Sequence, residues 1–414
     1  MIRKIFLFFL ITSLLFGQKK NKIPNYIEHN SILGTNSQVE YLTYRIPYNA
    51  LLFTRDKDQY RAEFTLSLEI YKDKTFLKRD INKYEVLSSN YDDTKSEEKY
   101  FQDLVKLNLQ PGNYSFNYAF TISETDVNTK LPPLELEIKE LKKEKVFPPI
   151  IVNNEIIKAN NASFKFKLTN FQNNIPFSPE QYNLLVGVVD TTVKSIQVNI
   201  KQDGKNILES SVNRLFKNGI FFEKSKEDII IKSIKDSVNL SYFLIKNFSN
   251  HLYEGKFEVK IKINNEEKTF PLKVVWNDKP KVLNKPEYAI KLLSYIEDIN
   301  VVKSLLKSES KNYYKELFKY WEKKYPSKNR KYNFALKEYY SRVDYTIKNF
   351  TSLKGRKGAE SDRGRIYIIY GKPTSTERNY NEKNETIEIW KYASINKIFV
   401  FKDITGTGKF ILVK

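Results

Sequence analysis

The sequence predicts a multidomain chain in which two tandem antiparallel β-sandwiches precede a C-terminal α+β domain. Three observations predict this class. Apolar and polar residues alternate over much of the chain up to Trp276, as in half-buried strands. After Lys285, apolar residues recur every three or four positions in two segments, as in amphipathic helices. Four short apolar runs follow those segments, so the last domain is helical first and sheet second.

The first residues, MIRKIFLFFLITSLLFGQKK, have the pattern of a secretory signal peptide. Arg3 and Lys4 precede an apolar run from Ile5 to Phe16, and small Gly17 follows it. The run is too short to span a bilayer, and an uncleaved anchor is the alternative. We therefore expect residues 1–17 to be removed and residues 18–37 to be flexible. The mature chain is then extracytoplasmic, in the periplasm, at the cell surface or secreted, without a transmembrane span.

Residues 38–141 are predicted to form the first sandwich, because strand patterns recur between turn residues. In AEFTLSLEIY the apolar residues occupy every second position, and the Pro-Gly turn before NYSFNYAFTI starts another such strand. The core candidates are Phe64, Leu66, Leu68, Ile70, Tyr114, Phe116, Tyr118, Phe120, Ile122, Leu134, Leu136 and Ile138.

Residues 146–277 are predicted to form the second sandwich, after a charged stretch and Pro148-Pro149 that indicate a linker. Asp203-Gly204 and Asn264-Asn265 are hairpin turn signals. The predicted strands contain Phe164, Phe166, Leu168, Ile196, Val198, Ile200, Phe257, Val259, Ile261, Ile263, Phe270, Leu272, Val274 and Trp276. Both domains are therefore expected to be Ig-like sandwiches, with a single large sheet as the alternative.

Residues 285–414 are predicted to form the α+β domain. The first helix has the stripe Tyr314, Leu317, Phe318, Trp321 and Tyr325, stopped by Pro326. The next helix has the stripe Leu336, Tyr339, Tyr340, Val343, Ile347 and Phe350. The four apolar runs RIYIIYG, ETIEIWKY, KIFVFKD and KFILV are predicted to be strands, and Gly371-Lys372-Pro373 a turn that closes the first of them.

This order of elements resembles the GWxTD domain proteins, secreted bacterial proteins named after a Gly-Trp-x-Thr-Asp motif. The matching text is YWEKKYP, EYYSRVDYTIKNF, GAESDRGRIYIIYGKP, EIWKY, FVFKD and GTGKFILV, within about residues 313–414. At the motif itself the chain has Gly358-Ala359-Glu360-Ser361-Asp362, which keeps a hydroxyl but lacks the tryptophan ring. The resemblance implies an exported protein of this architecture and carries over no reaction, because none is established for the family.

The composition argues against the common catalytic sites. The chain has no cysteine, and its two histidines, His29 and His251, lie far apart in the sequence. No cofactor, no metal site and no catalytic residue are therefore predicted. Gly371-Lys372 lacks the spacing and the hydroxyl of a phosphate loop. The net charge is +21, but the basic residues are spread out, which argues against a nucleic-acid groove and leaves solvated faces as the simplest explanation.

The motif region supplies the candidate residues, with structural or partner-binding roles. They are Gly358, Ser361, Asp362, Arg363, Gly364, Arg365, Gly371, Pro373, Glu388 and Trp390. We interpret residues 358–365 as an ordered connector that locks the helices onto the sheet, with Asp362 bonded to the backbone or to Arg342, Arg363 or Arg365. The alternative is a carboxylate cluster of Asp362, Glu388 and Asp403.

These observations predict an exported, non-catalytic binding or structural protein of the bacterial envelope or exterior. Its sandwiches would present the C-terminal domain to an envelope protein or an anionic polymer. The first alternative is a hydrolase of envelope polymers with a carboxylate and arginine site around Asp362. The second is basic association with anionic lipid or polymer, which would weaken with modest salt.

Overall fold

The computed structural model describes residues 27–33, 38–96, 99–123, 125, 128–139, 145–153, 164–169, 174–234, 240–328, 330–352, 357–382 and 384–414. The predicted signal peptide lies outside these residues. Within them, no helix combines the length and the apolar character needed to cross a membrane. The described chain is rich in β-strands, with helices in its C-terminal part.

The N-terminal part contains nine strands and one short helix among its described residues. Ile27–Leu33, within the segment predicted to be flexible, is instead a strand that pairs with Gln38–Pro47, and its Ile32 is buried in an apolar cluster. The elements are β1 (Ile27–Leu33), β2 (Gln38–Pro47), β3 (Thr54–Asp56), β4 (Gln59–Lys72), β5 (Thr75–Ser88), α1 (Tyr91–Thr94), β6 (Tyr100–Leu109), β7 (Gly112–Ile122), β8 (Asn128–Lys130) and β9 (Leu134–Ile138).

Ten further strands follow, and both predicted hairpins are confirmed at Asp203-Gly204 and Asn264-Asn265. They are β10 (Ile150–Asn153), β11 (Lys165–Leu168), β12 (Asn174–Pro176), β13 (Tyr182–Val188), β14 (Ser195–Gln202), β15 (Lys205–Ser225), β16 (Asp228–Ile234), β17 (Leu240–Ile245), β18 (Gly255–Ile263) and β19 (Glu266–Val275).

The C-terminal part begins with helices and ends with an antiparallel four-stranded sheet in the order β20-β21-β22-β23. Both predicted helices are confirmed as α4 and α5. The elements are α2 (Pro286–Leu292), α3 (Ile299–Leu305), α4 (Tyr313–Lys324), α5 (Phe334–Phe350), α6 (Asp362–Tyr370), β20 (Ser375–Tyr380), β21 (Thr386–Tyr392), β22 (Lys397–Asp403) and β23 (Phe410–Leu412).

The run RIYIIYG is not a strand, contrary to the prediction. It belongs to helix α6, which is buried on two sides, so its sequence shows no polar stripe. Ile366 packs with Trp390 and Phe401 of the C-terminal sheet. Ile368 packs in the cluster that contains the buried faces of α4 and α5. Gly371 accordingly caps a helix instead of closing a strand.

The chain divides into two compact units. The described part of the first comprises Tyr44–Phe101 and Gln110–Lys139. The second comprises Glu28–Thr43, Gln102–Leu109 and Glu140–Lys414, so residues on both sides of the predicted boundary near 285 belong to it. Strands β2 and β6 contribute residues to both units.

The first unit is built on one antiparallel sheet. Its strands have the order β3-β4-β7-β8, with β5 also paired to β4 and β9 also paired to β7. The alternating residues of β4 and β7 are buried as predicted, Phe64 and Phe116 completely. Phe64 packs against Phe120 and Phe101 at ring-centroid distances of 5.3 and 5.2 Å.

The second unit contains ten strands in one hydrogen-bonded path, in the order β12-β19-β18-β14-β15-β16-β11-β10-β13-β17. Long β15 pairs with β14 at its start and with β16 at its end, and it also pairs with β17. One apolar cluster joins residues of β13 and β17 to residues of β14, β18 and β19, and it continues through Trp276 into the helices.

Candidate functional site

Two glycines of the motif region allow backbone segments to approach very closely. A Cβ atom on Gly358 would lie 1.9 Å from the carbonyl oxygen of Thr346 in α5. A Cβ atom on Gly364 would lie 1.9 Å from the carbonyl oxygen of Gly358. No side chain fits at such distances, so the start of α6, the 3-10 turn at Gly358–Glu360 and α5 form one closely packed group.

Ser361 and Asp362 begin helix α6 and attach it to the rest of the domain. The Ser361 Oγ accepts a hydrogen bond from the Gly364 N–H at 3.0 Å and donates one to the Gly358 carbonyl at 2.7 Å. This is an N-cap, which satisfies a helix N–H group that would otherwise lack a partner. The Asp362 Oδ2 accepts a hydrogen bond from the Leu412 N–H of β23 at 2.8 Å. Asp362 therefore joins α6 to the last strand.

Ala359 occupies the tryptophan position of the motif and is completely buried. It belongs to the same apolar cluster as Leu293 and Ile368. The Tyr295 hydroxyl donates a hydrogen bond to its carbonyl oxygen at 3.0 Å. The position therefore faces the core of the second unit, where a neighbouring tyrosine fixes the backbone.

Glu388 is the centre of a buried polar group between α6 and the C-terminal sheet. Arg363 Nη1 lies 3.2 Å from Glu388 Oε2, and both side chains are only 9% exposed. Arg378 Nη2, on a side chain that is 60% exposed, lies 2.8 Å from the same oxygen. The Trp390 Nε1–H donates to Glu388 Oε1 at 2.6 Å. Both carboxylate oxygens are therefore bonded within the chain.

Aromatic rings enclose the Arg363 guanidinium. Its Cζ lies 3.8 Å from the ring centroid of Phe410 and 4.9 Å from that of Phe350. Burial lowers the pKa of Arg363, and the charge of Glu388 opposes that shift. A buried arginine paired with a carboxylate and placed over aromatic faces is held in one position. We call Arg363, Glu388, Trp390, Phe350 and Phe410 the seam.

The structure brings together four predicted site residues, Asp362, Arg363, Glu388 and Trp390, around the seam. Asp403 belongs to a different arrangement, because its Oδ2 accepts from the Gly408 N–H at 2.7 Å. Within the described chain, no group of three or more His, Cys, Asp or Glu side chains could hold a metal ion. The alternative of a carboxylate cluster of Asp362, Glu388 and Asp403 is therefore not formed among the described residues.

The remaining predicted residues lie at the edges of this region. Arg365 is exposed. The Gly371 N–H donates to the Tyr367 carbonyl at 2.7 Å and ends α6, and Pro373 lies two residues beyond that end. Sequence reasoning missed Arg378, since its strand β20 is exposed at every residue and shows no apolar alternation.

A surface groove of about 460 Å³ lies beside the motif turn. Three lysines contribute to it, Lys285, Lys291 and Lys357, against one acidic residue, Glu287. The Nζ of Lys357 lies 4.1 Å from the ring centroid of Tyr288, and burial, followed by the nearby Glu360, raises the pKa of that phenol. We call this feature the lysine groove. No sequence signal distinguished its lysines from the other basic residues.

The fold and the seam define a β-rich protein whose C-terminal helices and sheet are joined through a buried motif. Residues 257–408 match the family model of the GWxTD domain. The match confirms the resemblance and begins earlier than the quoted motifs, in β18.

No curated protein matches the chain. Among solved structures, the titin Ig tandem domains A164-A165 align with 12% identity over 61% of this chain and 96% of that one, with a TM-score of 0.15. Extracellular domains 3–5 of Drosophila OTK align with 10% identity over 61% of this chain and 98% of that one, with a TM-score of 0.12. TM-scores this low do not establish a shared fold, so the Ig-like type stays a prediction.

Proposed function

We propose that the protein is an exported, non-catalytic binding or structural protein of the bacterial cell envelope or exterior. Two tandem Ig-like sandwiches present the GWxTD domain to a partner. The observation that carries the proposal is that the two carboxylates of the motif region, Asp362 and Glu388, are bonded within the chain. Glu388 is held by Arg363, Arg378 and Trp390. Asp362 is held by the Leu412 N–H.

A catalytic carboxylate has to reach the proton or atom that it acts on. At the seam, Glu388 Oε1 accepts from an indole N–H and Oε2 faces two guanidinium groups. These contacts fix the Glu388 side chain in one position, as in a structural ion pair. The hydrolase alternative needs Asp362, Arg365 and Glu388 as free reacting groups, so this geometry favours the binding protein.

The lysine groove is the surface that we propose for the partner. Its lining has three lysines against Glu287, together with Tyr288, Tyr313 and the hydroxyl of Ser310. Lys291 pairs with Glu287 and Lys357 with Glu360, so a partner would compete with exposed, solvent-screened ion pairs there. From Lys285 to the end, the chain has 28 Lys and Arg against 15 Asp and Glu, a net charge of +13. A surface of this kind attracts acidic groups and raises the rate of their association. An anionic envelope polymer or the acidic face of an envelope protein fits it.

The test compares two reversals of equal charge. Lys291→Glu with Lys357→Glu changes the groove, whereas Lys315→Glu with Lys348→Glu changes exposed helix positions that do not line it. Immobilised full-length mature protein and both double variants are incubated with envelope extract, and bound protein and glycan are quantified. We expect the groove variant to lose the captured material and the control variant to keep it. Equal loss in both variants would show that only net charge matters and would contradict the groove assignment.

Export has a separate test, because it does not depend on the groove. N-terminal sequencing of the cell-associated and released fractions is expected to find a chain that begins near Gln18, outside the cytoplasm. Full-length chain retained in the cytosol would contradict the proposed location.

A further inference from the structure

A surface cleft of about 630 Å³ lies on the sheet of the first unit, close to the turn that joins β4 to β5. Ligand sites in proteins have volumes of about 300–1,000 Å³. Three neighbouring strands contribute to the cleft, because Tyr71 of β4 pairs with Ser115 of β7, and Ser115 pairs with Glu135 of β9. These three residues therefore form a row about 10 Å long across the face of the sheet that is opposite its buried residues.

Two aromatic rings lie at one end of this row. The rings of Tyr71 and Phe76 pack edge to face with their centroids 5.6 Å apart, and Phe76 is 53% exposed. The Tyr71 hydroxyl donates to Glu69 Oε2 at 3.1 Å, and the Arg79 Nε–H donates to the other oxygen of Glu69 at 2.9 Å. The register of β4 with β5 shifts between Ile70 and Tyr71, and such a bulge re-aims the side chains beside it. The Tyr71 ring is therefore held in position before any ligand binds.

Polar atoms beside the rings have hydrogen-bonding capacity that the described chain does not use. The Ser115 Oγ–H donates to Glu135 Oε1 at 2.7 Å, and Glu135 Oε2 accepts from no described residue. Asn117 is exposed, with its Oδ1 3.5 Å from the Ser115 Oγ, and its Nδ2 donates to no described residue. An amide both donates and accepts, whereas a carboxylate oxygen accepts. These atoms can therefore bond the hydroxyl groups of a ligand without breaking hydrogen bonds of the fold.

We propose that this cleft binds a neutral saccharide, as a segment of a glycan without acidic groups. A sugar ring has an apolar face of C–H groups, which packs on an aromatic ring, and a rim of hydroxyl groups, which donate and accept. The cleft offers Tyr71 and Phe76 to the face, and Asn117 and Glu135 to the rim. Faces of β-sheets bind oligosaccharides in other folds.

The charge of the cleft favours a neutral ligand over an anionic one. Its lining contains two carboxylates, those of Asp73 and Glu135, against one lysine, Lys74. The lysine groove has the opposite balance, with three lysines against one acidic residue. An anionic polymer is therefore attracted to the groove and not to the cleft. The cleft lies in the first unit and the groove in the second, so each site can be tested without changing the other.

Saturation-transfer-difference NMR and calorimetric titration of the full-length mature protein test the proposal. The neutral probes are cellohexaose, chitohexaose, maltohexaose and mannohexaose, and hexagalacturonate is the anionic comparison. We expect at least one neutral probe to bind, and to keep its affinity at about 1 M salt, where the screening length is about 3 Å. The groove variant Lys291→Glu with Lys357→Glu is expected to bind that probe as the wild type does.

Matched substitutions locate the site. Tyr71→Ala and Asn117→Ala are each expected to weaken binding of the neutral probe by tenfold or more, whereas Tyr71→Phe keeps the ring and should keep most of the affinity. Tyr91→Ala and Asn128→Ala are the controls, because both residues are exposed in the same unit and neither lines the cleft. Circular dichroism melting confirms that each variant is folded.

Failure of every neutral probe to bind, or equal loss of binding in the Tyr71→Ala and Tyr91→Ala variants, would overturn the proposal. Hexagalacturonate bound as tightly as a neutral probe, and through the same residues, would overturn the choice of a neutral ligand. If Tyr71→Ala does not fold, the comparison of Asn117→Ala with Asn128→Ala decides, because both change exposed side chains.

Discussion

The seam and the exposed face of β5 use the same two residue types in opposite ways. At the seam, Arg363 and Glu388 are both 9% exposed and are surrounded by aromatic rings. On β5, Arg79 is 55% exposed and pairs with Glu69, which is 23% exposed. Both are arginine–glutamate pairs between neighbouring elements. The buried pair fixes the position of α6, whereas the exposed pair leaves a charged side chain accessible to a partner.

The difference in burial between the two ion pairs separates residues that stabilise the fold from residues that can contact a partner. Water screens an exposed ion pair, so that it contributes little to stability. A buried pair loses its hydration, so removing one member leaves an uncompensated charge. Substitutions in the motif region are therefore expected to lower stability without a direct effect on partner binding. Substitutions on the exposed surfaces are expected to do the reverse.

The largest effect is expected from Glu388→Ala. Arg363 would keep its charge in a site without a carboxylate, at a cost of about 3–5 kcal/mol in the free energy of unfolding. Urea denaturation measures the loss. Glu69→Ala, which also removes an arginine's partner, is the control and should cost much less because the pair is solvated. Similar losses in both variants would remove the distinction between the two pairs.

A loss of about 3 kcal/mol is expected for Gly364→Ala, since the new methyl group would meet the Gly358 carbonyl and the backbone would have to shift. The sign of the change in the free energy of unfolding is informative, because alanine in place of glycine stabilises an ordinary helix interior by about 1 kcal/mol. Gly406→Ala is the control, since its Cβ would meet nothing within 4 Å and only its positive φ is strained. A stabilised Gly364→Ala variant would contradict the close approach.

The smallest effect separates two predicted site residues of helix α6, Asp362 and Arg365. Asp362→Ala removes the acceptor of the Leu412 N–H and should cost about 2 kcal/mol. Arg365→Ala changes an exposed side chain and should stay within about 0.5 kcal/mol. Thermal melting of the two variants measures both. Equal destabilisation would show that Arg365 also supports the connector.

The sequence predicted those elements whose apolar residues fall on one face. The alternation in β4 and β7 and the stripes of α4 and α5 were confirmed, since each of these elements has a polar side. Helix α6 was missed because Ile366 and Ile368 pack into different clusters, which removes the polar stripe. Strand β20 was missed for the opposite reason, because all its residues are exposed.

The sequence predicted which residues form the site, but not which atoms they bond. Ser361, Asp362, Arg363, Glu388 and Trp390 were all candidates, and Asp362 was predicted to bond the loop backbone or an arginine. It bonds a backbone N–H, but that of Leu412 in β23 and not one of its own loop, and Arg363 reaches a carboxylate 25 positions away. Pairing at this separation depends on the packing of α6 against the sheet, and a local pattern carries no information about it.

Strand β15 has a mechanical consequence for the second unit. Its 21 residues pair with β14 at one end and with β16 and β17 further along. Peeling either end away from its neighbours would pull on the same continuous backbone that supports the other end. We therefore expect these ten strands to unfold cooperatively under an applied force, and not one group of strands at a time.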